Sequence, residues 1–202
     1  MDNSAFLQVL KSSFLKYLNT HPRSNEKLKI LHGAISEDII SRLDKSTYSV
    51  YSLGYKDGHE DKIPGHYMYK AVDITIKKND VASAGIAVKF IMSNYSQNSN
   101  NYFENMLGET ANIRYGGTPY FQIFIIPDEI PYYDKDKLIT SWENINEHNL
   151  QKYIVLSNDD PDLHFHVPNR TLIYIVDIPK CNKSKINSYY DYKCHFLTHD
   201  FD

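Results

Sequence analysis

Val72-Asp73-Ile74-Thr75-Ile76 and, ten residues on, Gly85-Ile86-Ala87-Val88-Lys89-Phe90-Ile91-Met92 are the stretch from which the fold is read. Side chains on a strand alternate between faces, so residues two apart share one. In the second segment Ile86, Val88 and Phe90 form an apolar face, leaving Ala87 and Lys89 together on the other. In the first, Val72, Ile74 and Ile76 form the apolar face and Asp73 points away from it. The Lys77-Lys78-Asn79-Asp80 run between them predicts a turn. A hairpin closed there brings Asp73, position 87 and Lys89 together.

Upstream, Phe6, Leu7, Leu10, Phe14 and Leu18 recur at helical spacing and predict a helix over 4–19, ended by His21-Pro22. Leu28, Leu31, Ile35 and Ile39 predict a second over 26–43, and Tyr48 to Leu53 reads as a strand. Lys56 to Asp61 is a polar loop, and residues 66–76 read as extended. Downstream, a polar loop from Ser93 to Asn101 leads into a helix over 99–114. The apolar run Tyr120 to Ile126 is short enough for a buried strand stopped by Pro127. A weaker helix over 139–152 and a buried strand from Thr171 to Ile178, stopped by Pro179, complete the pattern. This order predicts a single mixed α/β domain, a central sheet flanked by helices. Residues 1–45 supply N-terminal helices, 46–126 the core, and 127–202 the remaining sheet, helix and tail.

The chain has 202 residues, enough for a core that needs no staple. Two cysteines, Cys181 and Cys194, are too few for a disulfide framework, and no apolar run reaches the roughly 18–20 residues of a membrane span. A soluble, cytoplasmic protein is expected. The net charge of −3 is unlike that of most phosphate-binding proteins, but steering by a polyanion needs only a local positive surface. Lys77-Lys78 and the tail lysines Lys180, Lys183, Lys185 and Lys193 are the candidate patches.

Carboxylates at Asp73 and position 87 would together hold a hard divalent cation, Mg2+ being typical for oxygen ligands. A lysine beside them would hold a water and a phosphate. Position 87, however, is alanine. Three accounts stand side by side: the acid has moved to the following helix, with Glu104 spaced for it; an alanine has replaced a native acid; or the site is natively inactive. Asn94, Gln97, Asn98, Asn100 and Asn101 offer paired amide hydrogen bonds suited to base edges, or else simply a polar loop capped by Ser99 or Asn100. His164 and His166 share a face of a possible strand, but no third zinc ligand stands at a typical spacing, and Cys194-His195 likewise falls short.

Over residues 28–126 the pattern resembles the PD-(D/E)xK nucleases, and within them the type II restriction endonucleases. Val72-Asp73 matches the first acid and Ala87-Val88-Lys89 the (D/E)xK element, with the departure at Ala87. Asn94, Asn98, Asn100-Asn101, Glu104, Leu107-Gly108 and Glu109 follow as a similar spread, and Leu31 to Glu37 looks like the acid-bearing helix before the sheet. The resemblance implies a restriction-endonuclease-like core and Mg2+-dependent cleavage of double-stranded DNA, with Mn2+ able to substitute, by a homodimer at a short site. It implies cation binding by Asp73, the residue at 87 and Val88 through its carbonyl, joined by Glu37 or Glu104, with Lys89 orienting water. A less specific repair or recombination nuclease of the same fold, and a DNA-binding pseudo-nuclease, are the alternatives.

Overall fold

A computed structural model of the protein describes residues 1–20, 24–56, 58–178 and 183–198. Helix α1 (Asn3–Asn19) starts where the Asp2 carboxylate accepts the Ala5 amide at 2.8 Å, satisfying one of the orphan donors of a helix start. Helix α2 (Glu26–Ser41) follows, and then β1 (Tyr48–Ser52), β2 (Asp61–Pro64), β3 (Tyr69–Val72), β4 (Ile74–Lys78) and β5 (Val81–Phe90). Helix α3 (Tyr95–Tyr115) leads to β6 (Tyr120–Pro127), β7 (Glu129–Tyr133), β8 (Ile139–Asn144), α4 (Glu147–Ser157), β9 (Arg170–Val176) and α5 (Tyr189–Thr198).

The central sheet has five strands in the order β1-β4-β5-β6-β9. The first three pair antiparallel, and β6 and β9 add parallel to β5. Parallel neighbours need a crossover, which α3 supplies between β5 and β6 and the segment carrying α4 between β6 and β9. Strand alternation divides the core. Ile74, Ile86, Val88 and Ile125 pack with Leu10, Leu31 and Ile35 of α1 and α2 on one face. Phe124 and Ile126 pack with Met106 of α3 and Tyr153 of α4 on the other. The result is a mixed α/β layered fold.

The β4–β5 turn falls where its sequence predicts. Asn79 and Asp80 have φ of 48° and 65°, the left-handed pair that suits the twist of a tight hairpin. Ile74 pairs with Ile86, so Asp73 comes level with Ala87. One detail of the expected facing is corrected. Val72 and Ile74 do not share a face: Val72 ends β3 and packs with Ile63, Ile113 and Tyr120, whereas Ile74 opens β4 in the cluster of α1 and α2. The chain passes from the small β2–β3 sheet into the main sheet at Asp73.

Three further segments differ from expectation. Residues 139–144 form strand β8 against β7, and the helix begins only at Glu147. The determinant is local: Asn146 and Asn149 exchange side-chain-to-backbone hydrogen bonds at the helix start. Asp61, read as loop, opens β2. The tail folds into α5, whose Tyr192 and Phe196 pack on Phe14 and Leu18 of α1. The expected stops at His21-Pro22 and Pro179 lie outside the described residues, as do Lys180 and Cys181.

Helix α2 is held against the β1–β2 loop at two glycines. A Cβ on Gly33 would lie 2.6 Å from the Gly54 carbonyl oxygen, and Gly54 itself has φ of 77°. Gly33→Ala therefore forces the helix and loop apart, with an expected loss of about 1–3 kcal/mol in urea denaturation. An unchanged midpoint would show that the contact relaxes freely.

Candidate metal centre

Asp73 sits at the junction of the two sheets, and one oxygen of its carboxylate accepts the Val88 amide at 2.7 Å. That bond ties the acid to the strand carrying Ala87 and Lys89. Burial pushes the Asp73 carboxyl above the usual carboxylate range; the Val88 amide opposes the shift and the Glu109 charge adds to it.

His32 of α2 and Glu60, just before β2, meet Asp73. One potential ligand atom from each residue lies within 4.8 Å of those of the other two. His32 is fully buried, and neither ring nitrogen has a hydrogen-bond partner among the described residues. Burial pushes its imidazole down to about 4, with Glu60 opposing, so the ring is a neutral base near pH 7. Burial and the Asp73 charge push the Glu60 carboxyl up. Two acids that repel each other beside an unpartnered imidazole are poorly satisfied by the protein alone, and a divalent cation would relieve both defects. The group could hold a metal ion.

Two clefts meet at this point. One, of about 250 Å³, is lined by Lys70, Asp73, Ala87, Lys89, Glu109 and Gln122. The other, of about 410 Å³, is lined by Lys27, His32, Asp73, Lys89 and Tyr102 among others. Lys89 lies with its ammonium 4.6 Å from the Tyr102 ring centre. Lys70 pairs with Glu109 at 2.9 Å, and the Tyr120 hydroxyl donates to the same carboxylate. Burial and the Tyr120–Glu109 contact push the phenol up. Lys27 stacks on Tyr17, and burial together with the Lys89 charge pushes its ammonium down. Three lysines thus surround one half-buried acid, two of them close enough to repel.

The expected residues separate into those brought together and those left apart. Asp73, Ala87, Val88 and Lys89 line the first cleft as the hairpin register requires. Glu37 does not join them. It is exposed and borders a shallow depression with Lys16, Glu26 and Lys29, because α2 turns His32, not Glu37, toward Asp73. Glu104 is also exposed and feels Lys152 rather than Asp73. Of the α3 acids it is Glu109 that enters the cleft.

The Asn-rich segment is the start of α3 rather than a loop. Asn94, at φ 50°, precedes the helix and bridges to Tyr133, donating to its carbonyl at 2.7 Å and accepting its amide at 3.0 Å. The exposed amides of the first turn are met by Glu143, which accepts from Tyr95 and Ser96. Asn98 donates to the Asn94 carbonyl, and Asn100 accepts from Lys152. Gln97 and Asn101 stay exposed. The expected basic patches are partly neutralised, Lys77 by Asp61 and Lys183 by Glu129. His164 and His166 lie exposed on a turn, not on a strand.

His32, Glu60, Lys27 and Lys70 were not singled out from sequence. The signal for His32 was present: it falls between Leu28 and Ile35 on the buried stripe of α2, where an imidazole needs a partner. Glu60 carries no comparable signal. Comparison with family models, with curated proteins and with solved structures returns no match. No helix among the described residues is long and apolar enough to cross a membrane.

Proposed function

We propose that the chain is a divalent-cation-dependent nuclease of the PD-(D/E)xK type acting on double-stranded DNA. The observation that carries this reading is the meeting, at Asp73, of a metal-donor set (one buried imidazole and two half-buried carboxylates) with three lysines drawn from α2, β3 and β5. Ammonium groups that repel each other beside carboxylates are well placed to be bridged by phosphate oxygens. The mixed sheet, an antiparallel hairpin continued by parallel strands between helical layers, supports a restriction-endonuclease-like core.

His32, Glu60 and Asp73 would hold the cation. When bound, it stabilises charge on a phosphate and acidifies a water. Lys89 would hold the scissile phosphate, and Lys27 and Lys70 its neighbours on either side. Glu109 keeps Lys70 in the cleft. The β2–β3 hairpin ends in exposed Tyr67, Met68 and Tyr69, a surface for stacking or groove contact at the far end of the strand that leads into Asp73.

The test is digestion of plasmid DNA by chelator-treated protein given Mg2+, Mn2+ or Zn2+ separately. Cleavage should appear only with added cation, and cleavage that survives exhaustive chelation removes the reading. Discrete fragments support the narrower form, a type II restriction enzyme cutting as a homodimer at a short site, whereas a smear favours a repair-type nuclease. Binding without cleavage under every cation favours a pseudo-nuclease.

Ala87 takes a different meaning in this arrangement. Its methyl packs toward Ile63, Val72, Ile113 and Tyr120, and Glu60 already supplies a second acid. Ala87→Glu should therefore change cleavage by less than about tenfold and lower the stability of the cation-free protein, since a further carboxylate would crowd Asp73 and Glu109. A gain of orders of magnitude would instead show that an acid is missing at 87.

A further inference from the structure

We propose that His32 makes this a nitrogen-containing centre that selects a first-row transition ion of the Zn2+ or Mn2+ class over Mg2+. The inference rests on the cation site of the proposed nuclease but not on DNA cleavage.

Mg2+ dehydrates reluctantly and takes oxygen ligands, so a buried imidazole adds little to its binding. Imidazole suits the borderline ions, whose affinity for nitrogen-bearing sites rises along the first row. A set of one histidine and two carboxylates leaves coordination positions open, as reactive sites of such ions require. Metal–donor bonds of about 2.0–2.2 Å place donor atoms roughly 3–4 Å apart. Three ligand atoms already within 4.8 Å of one another need only small side-chain rotations to reach that spacing.

His32 itself supplies the independent observation. It lies on the buried face of α2, fully enclosed, with both ring nitrogens lacking a hydrogen-bond partner among the described residues. A histidine kept for packing would be expected to satisfy at least one nitrogen, because an unsatisfied buried polar group is costly. The two carboxylates face it across the ligand set, and the cleft it lines opens beside Asp73 and Lys89. Gly33, the next residue, brings the helix onto the backbone of the loop that leads to Glu60. The sequence thus carries both the donor and the close approach that positions it.

Calorimetric titration of the chelator-treated full chain with Zn2+, Mn2+ and Mg2+, together with the visible absorption of a Co2+-loaded sample, tests the assignment without reading cleavage. Zn2+ and Mn2+ should each bind at least about tenfold more tightly than Mg2+, and the Co2+ spectrum should show a nitrogen-bearing, low-coordinate site. His32→Leu should cut transition-ion affinity by about 10–100-fold or more, weaken Mg2+ binding much less than that, and leave the cation-free melting temperature equal or higher. A merely structural histidine would lower it. If His32→Leu does not fold, His32→Gln decides by the same affinity loss. Equal affinity for Mg2+ and Zn2+, or transition-ion binding untouched by the substitution, overturns the proposal. A protein that binds Zn2+ through His32 yet cuts no DNA under any cation overturns the nuclease reading and leaves this one standing.

Discussion

Asp73→Asn should abolish the proposed DNA cleavage, with a fall of about 10^3-fold or more, and should sharply weaken divalent-cation binding while the fold survives. Asparagine has nearly the same shape, and its carbonyl oxygen can still accept the Val88 amide that the carboxylate accepts now. What disappears is the negative charge shared by the metal-donor set and the lysine-lined clefts. Burial already disfavours the charged form of this carboxyl, so its removal should leave the cation-free melting temperature unchanged or slightly raised. Loss of activity with an intact or higher melting point is the signature of a residue kept for chemistry. A variant that retains more than a tenth of wild-type cleavage would remove Asp73 from the centre, and a large drop in melting temperature would mark it as a structural strut between the two sheets.

The hairpin register was legible because it depends on alternation and on turn chemistry, both local properties of residues 74–90. Helix α2 was legible as a helix but not in its rotation about its own axis. Glu37 was expected to reach the site, whereas His32, which lies on the buried stripe, was not considered. Tertiary packing at Gly33 and Gly54 settles the choice, and nothing in the spacing of α2 alone announces that contact. Glu60 was invisible for a related reason: a loop acid becomes a ligand only when the loop's path is known. The start of α3 was misplaced because its Asn and Ser residues have weak helix propensity; Glu143, almost fifty residues away in sequence, meets the helix start. Long-range polar contacts of this kind leave no periodic trace.

The two acids of α3 separate by face, and that separation makes the second large prediction. Residues five apart on a helix at 3.6 per turn differ by about 140° in direction, so Glu104 and Glu109 cannot both look into one cleft. Tyr102, Asn105, Met106 and Glu109 form the lining stripe at spacings of three and four, which leaves Glu104 outward beside Lys152. Glu104→Gln should therefore change cleavage by less than about twofold, within the spread expected of a surface site. Glu109→Gln should lower cleavage by about 10^2-fold, because it removes the charge that holds Lys70 beside Asp73. The glutamine oxygen can still accept from the Tyr120 hydroxyl, so the packing of Tyr120 against Ile63 and Ile113 should persist. Tyr120→Phe serves as the control: it deletes that hydrogen bond and keeps the charge, and should lower the melting temperature more than it lowers cleavage. If Glu104→Gln proves the damaging change and Glu109→Gln the silent one, α3 is rotated in the working protein and the cleft as described is not where the phosphate sits.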